Sequence, residues 1–179
     1  MRGNFTGILA GMLLLCCSAK STITNTNTVP NNESTIKALF IYNFTKQIEW
    51  PTENFSKPQF TICVLDDREM ADRLIEIVKG RKYFEKPFEV KNIKKTNESI
   101  GSQLLFIPHS NGKKIEKELM ELPQIGLLII TDEKSLPANY SSINLVEKNA
   151  QLRFEINHPL VKKQNLKVSN NLLKLATNN

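Results

Sequence analysis

A chain of 179 residues holds one domain of ordinary size and excludes two independent α/β domains. Its composition, 40% apolar, 23% charged and 7% aromatic, excludes a disordered or fibrous protein. Lys and Arg number 24 against 18 Asp and Glu, a formal charge of +6, but the lysines are interspersed with glutamates and no basic block carries aromatics, so no nucleic-acid partner is expected.

Residues 1–19 read as an export signal rather than as part of the fold. Arg2 supplies the positive end, Ile8 to Cys17 form an apolar run broken by glycine, and Cys17-Ser18-Ala19 places small residues for cleavage after Ala19. The run is too short to remain as a membrane span. The mature chain is therefore expected to be exported and soluble. A rival reading is a lipoprotein anchored through Cys16 or Cys17, although Leu15, before Cys16, is not the small residue such sites usually carry. Residues 20–32, rich in Thr, Asn and Ser with Pro30, read as a flexible tether.

The expected domain covers 33–177. A first helix is expected from Glu33 to Ile48, capped by Asn31 or Asn32, with Ile36, Leu39, Phe40, Phe44 and Ile48 as its apolar face. Pro51 bars its continuation. Phe60–Leu65 is continuously apolar, as a strand covered on both faces would be. Asp66-Asp67 opens a helix to Lys79, with Met70, Leu74 and Val78 inward and Gly80 just past its end. Strands follow at Phe88–Ile93 and Leu104–Ile107. Ser110 or Asn111 caps a helix to Leu122 with Ile115 and Leu119 inward, and Gly126–Thr131 is the most hydrophobic strand. Ile143–Glu147 and Gln151–Asn157 form a hairpin turning at Lys148-Asn149, in which Leu152, Phe154 and Ile156 alternate with Arg153, Glu155 and Asn157. A short helix at His158–Gln164 and a terminal one at Asn170–Ala176, capped by Ser169, complete the chain. The expected fold class is α/β: a single three-layer domain with a mainly parallel sheet extended by a C-terminal antiparallel hairpin.

Chemistry-bearing motifs are scarce. His109 and His158 are the only histidines, and no HExxH or Cys pair accompanies them, so no metal is expected. Beyond the signal the glycines are Gly80, Gly101, Gly112 and Gly126, from which no GxGxxG, Walker A loop or GxSxG can be built, and no cofactor is expected. Cys63 is the one cysteine outside the signal; it is expected to be free, a buried small hydrophobe in its strand. The carboxyl ends of the strands carry Asp66, Asp67, His109, Ser110 and Asp132, a set capable of acid–base work. Asp67 and Ser110 are equally good helix caps, Asp132 a good turn residue, and His109-Ser110-Asn111-Gly112 either an anion cradle or a turn and cap. Trp50, the single tryptophan, either packs over the sheet or contributes to a ligand pocket or partner surface.

The segment Lys37-Ala38-Leu39-Phe40-Ile41-Tyr42-Asn43-Phe44-Thr45-Lys46-Gln47-Ile48-Glu49-Trp50-Pro51 resembles the opening helix of the YfiR-like family of periplasmic regulatory proteins. Family-like stretches follow at Ile62–Leu65, Leu104–Ile107, Ile143–Val146, Leu152–Asn157 and Ser169–Ala176, so the resemblance spans about 34–176. It implies a non-enzymatic regulator, typically dimeric. The family's best understood member restrains a membrane diguanylate cyclase by binding its periplasmic part, and an OmpA-like lipoprotein can sequester that regulator. Some members are linked to small ligands, and related domains are fused to sensor kinases. Many members carry a second Cys just before the strand matching Leu104–Ile107, able to pair with the one matching Cys63; here that place holds Ser102-Gln103, which removes this pairing. The resemblance thus points to a protein that binds a membrane signalling protein, a diguanylate cyclase or histidine kinase. A small-ligand receptor and an enzyme using Asp66, Asp132 and His109 are the alternatives. Candidate contact residues are Glu49, Trp50 and Pro51 at the end of the first helix and Arg153 on the exposed side of the hairpin.

Overall fold

The protein is described from a computed structural model, which covers residues 32–52, 57–108, 113–132 and 140–177. The expected signal and all of the tether but Asn32 fall outside these residues, as do His109, Ser110 and Asn111.

Among the described residues five helices and nine strands follow one another along the chain. They are α1 Asn32–Gln47, β1 Ile48–Glu49, β2 Phe60–Leu65, α2 Arg68–Val78, β3 Lys82–Tyr83, β4 Lys86–Ile93, β5 Leu104–Ile107, α3 Lys113–Glu121, β6 Leu128–Asp132, β7 Ile143–Lys148, β8 Gln151–Ile156, α4 His158–Lys163, β9 Lys167–Val168 and α5 Asn170–Leu175. Seven strands form one sheet in the order β3-β4-β2-β5-β6-β7-β8. The five central strands run parallel, Ile62 beside Leu104, Leu105 beside Ile129 and Ile130 beside Ile143. The hairpins β3–β4 and β7–β8 add an antiparallel strand at each edge. The architecture is therefore the α/β one expected, with its C-terminal hairpin.

The apolar run of β2 serves two cores because successive side chains of a strand point to opposite faces. Phe60, Ile62 and Val64 join α1 and α2 on one face, whereas Cys63 and Leu65 join Leu119 and Leu122 of the α3 segment on the other. Asp67 caps α2, its Oδ1 accepting from Met70 N at 2.9 Å, and Gly80 takes φ +71 just past the helix end. Ser169 caps α5 in the same way through Leu172 N at 3.1 Å.

Three details differ from the sequence expectation. The buried side of α1 is Ala38, Ile41, Tyr42, Phe44 and Thr45, while Ile36 and Leu39 are 37% and 43% exposed. The helix is apolar almost all round, so its period does not choose a face; the choice comes from Tyr42 packing edge-on to Phe88 and Phe44 onto Phe154. The hairpin turns at Asn149-Ala150, one residue later than expected, with φ +54 and +56 there, the positive pair of a type I′ turn. Finally, α1 does not extend through Ile48: Ile48 and Glu49 turn extended and pair with Val168 and Lys167, a two-stranded ribbon that brings the C-terminal segment to the end of α1.

Candidate functional site

Trp50 is set where α1, the β1–β9 ribbon and the β3–β4 hairpin meet. The indole is buried, its Nε1 donates to the Gln103 carbonyl at 3.0 Å, and its ring stands edge-on to Phe60 and Tyr83 at 4.9 and 5.5 Å between centroids. Gln103 is itself fixed, because its Oε1 accepts the Thr61 amide at 2.7 Å. The Tyr83 hydroxyl donates to the Ile48 carbonyl at 3.4 Å. Burial pushes that hydroxyl's pKa up, an effect only partly offset by the Trp50 backbone amide.

The packing role of Trp50 does not close it off. With Glu49, Thr52, Tyr83, Phe84, Glu85 and Lys86 it lines an open cleft of about 470 Å³. Phe84 forms the outer wall; it is 82% exposed and its backbone sits at φ +49, a left-handed conformation costly for an aromatic residue. A smaller notch of about 210 Å³ on the other side of the Tyr83-Phe84 ridge is lined by Tyr42, Thr45, Lys46, Lys82 and Phe88. The Lys46 ammonium lies 4.3 Å and the Arg81 guanidinium 4.8 Å from the Tyr42 ring centre. Burial raises the Tyr42 hydroxyl's pKa, but hydrogen bonds and charge from Arg81 and Lys46 together outweigh this and hold it below the ordinary tyrosine value.

Of the residues singled out from sequence, Glu49 and Trp50 thus share the cleft, and Pro51 follows them in chain, partly buried. Arg153 is exposed on β8, hydrogen-bonded to Gln151, at the sheet edge opposite β3, so the two candidate surfaces are separate. Tyr83 and Phe84 are residues the sequence reading missed. Their signal was an adjacent aromatic pair inside the charged stretch Arg81–Lys86.

The strand-end carboxylates are occupied structurally. Asp66 pairs with Lys94, Asp67 is a helix cap, and Asp132 Oδ2 lies 2.6 Å from the Lys37 ammonium, which also meets Glu33 at 2.6 Å. Strand β5 lies between the strands ending in Asp66 and Asp132. Among the described residues no group of His, Cys, Asp and Glu is arranged to hold a metal, and no helix is long and apolar enough to cross a membrane. Cys63 is free and 1% exposed; burial pushes its thiol up despite a hydrogen bond with Ser102.

No curated protein matches the chain. The family model described as YfiR/HmsC-like matches residues 34–177, from the first turns of α1 to the end of the described chain. That span includes every element of both sheets and the Trp50 corner, and the chain belongs to this YfiR/HmsC-like family.

Proposed function

We propose that the protein is exported and works in the periplasm, without chemistry of its own, by binding the exported part of a membrane signalling protein, a diguanylate cyclase or histidine kinase, and modulating its activity. The observation that carries this reading is the corner at the end of the family-matched α1 segment. There a fixed Trp50 and Tyr83 back an exposed, strained Phe84 beside an open cleft. Exposed aromatics on a rigid support are the usual anchors of protein recognition. Occupied carboxylates at the strand ends agree with a binding role. A homodimer, and release through an OmpA-like lipoprotein, belong to the same reading by way of the family.

Affinity capture from crosslinked envelope extracts, paired with deletion of the gene, tests it. Recovery of a membrane protein with a cyclase or kinase domain, whose output changes on deletion, is the expected result. Recovery of none, with unchanged cyclic-di-GMP and kinase output, overturns it.

The cleft also supports a second reading, a receptor for a small ligand, because its volume is in the range of small-molecule sites and one wall is aromatic. Titration followed by emission of Trp50, the single tryptophan, reports such a ligand directly.

A further inference from the structure

The notch beside Phe84 carries charge that its own surroundings do not neutralise. Lys46 and Arg81 converge on Tyr42 from α1 and from the segment leading into β3, and no carboxylate of the described residues pairs with either. The nearby Lys82 reaches only Glu85, at 3.4 Å and in solvent. The apolar wall is equally unsatisfied. Phe84 stands in water in a backbone conformation that glycine or asparagine would accept more cheaply, so the hairpin gives up stability to present this ring.

We propose that the notch and ridge formed by Tyr42, Lys46, Lys82 and Phe84, with Arg81 beside them over the Tyr42 ring, receive an acidic segment of a partner protein, a carboxylate at this cluster of cations and a neighbouring apolar side chain over Phe84. The inference rests on the binding role proposed above and names the chemistry of the partner. A carboxylate gains charge-assisted contacts there, and Arg with an exposed aromatic is the pairing that recognition surfaces favour. Both cations lie over the Tyr42 ring, which keeps Lys46 in the lining of the notch and Arg81 beside it. A free anion would use the cations and leave Phe84 uncovered; a segment that also carries an apolar group uses both.

The probes are two synthetic ten-residue peptides of Leu, Phe and Ser, identical except that one carries Glu and the other Lys, with free glutamate as a third arm. Binding is read by calorimetry and by Trp50 emission. The acidic peptide is expected to bind with an affinity that falls steeply with salt, and Lys46→Ala, Arg81→Ala and Phe84→Ala are each expected to weaken it by about tenfold. Lys148→Ala, on the distant hairpin, is expected to leave it unchanged. All four side chains are exposed, and thermal melts confirm that the variants fold. Equal binding of the two peptides, no binding at millimolar concentration, equal capture of free glutamate, or an equal loss in Lys148→Ala overturns the proposal. So does a dimer in sedimentation that Lys46→Ala and Phe84→Ala dissociate, since the occupant is then a second copy. Envelope capture with a Lys46→Glu/Arg81→Glu variant separates the two levels. Partner recovery by this variant as well as by the unaltered chain overturns the notch and leaves the binding role standing. No recovery by either overturns the binding role, and the peptides still decide the notch.

Discussion

Trp50 shows how one side chain can belong to the core and to a surface. Its indole N–H reaches the Gln103 carbonyl, its ring packs edge-on with Phe60 and Tyr83, and the residue still lines the cleft. Trp50→Phe removes the hydrogen bond and part of the contact area but leaves Gln103 paired, since its carbonyl also accepts the Leu128 amide at 2.9 Å. The expected loss is therefore modest, about 1–2 kcal/mol in a denaturant titration, against about 3–5 kcal/mol for Trp50→Ala, which also empties the corner. Cys63 makes the opposite case, a reactive group made inert by place. With 1% exposure and a thiol pushed up by burial, it is expected to resist alkylation in the native protein and to react once the chain is unfolded, as peptide mapping by mass spectrometry would show. Labelling of native Cys63 at the rate of a free thiol would contradict the packing of β2 against α3. Inertness of this cysteine was legible in the sequence because an unbroken apolar strand must be covered on both faces. The double role of Trp50 was legible only as an alternative, since its second role depends on Tyr83 and Phe84, far along the chain.

At the scale of elements, the long strands and capped helices could be read directly, because each carries its own signal: the apolar run of β2, Asp67 before α2, Gly80 after it, Ser169 before α5. What escaped were elements defined by a distant partner. Ile48-Glu49 and Lys167-Val168 are strands only because they pair with one another, and Lys82-Tyr83 only because it pairs with Lys86-Pro87. The inward face of α1 was read only in part, Phe40 and Phe44 meeting the core but Ile36 and Leu39 exposed, since tertiary contacts of Tyr42 and Phe44, not the period, set its rotation. The β3–β4 hairpin then poses a specific question, because its turn places Phe84 at φ +49. Phe84→Gly is expected to hold or raise stability by up to about 1 kcal/mol, relieving left-handed strain at the cost of one exposed ring contact with Tyr83. Thermal melts of the two proteins check this. A clear loss of stability would mean that the ring is there for the fold, and the functional reading of the ridge would lose its main support.

Across the whole molecule, α1 acts as a strap over one face of the sheet, fastened at both ends. Near its C-terminus the Gln47 carbonyl accepts the Ser169 amide at 2.9 Å and its Oε1 the Ser169 hydroxyl at 2.6 Å, and Trp50 holds Gln103. Near its N-terminus Lys37, whose side chain is 12% exposed, joins Glu33 and, across the sheet end, Asp132. Burial lowers the lysine's pKa, but the hydrogen bonds and charges of Asp132 and Glu33 outweigh it and leave the ammonium above its ordinary value of 10.5. A pKa raised in the folded state means that the fold holds this proton more tightly than the unfolded chain does. Its contribution is therefore complete below pH 10.5 and is lost as pH rises through the raised value. Cys63 and Tyr83, also raised, favour the fold in the same direction, and Tyr42, lowered, opposes them, so the alkaline limb of the wild type alone does not isolate the strap. Comparison with Lys37→Met does. The variant is expected to be less stable by about 1–3 kcal/mol at neutral pH, and this difference to shrink as pH rises above 10.5 through the raised value, as the wild-type lysine gives up its proton and the tie to Asp132 ceases to be ionic. A difference that stays constant across the alkaline range would assign the effect of Lys37 to the packing of its methylene chain, leaving the ribbon and Trp50 as the fastenings of α1 that position the corner.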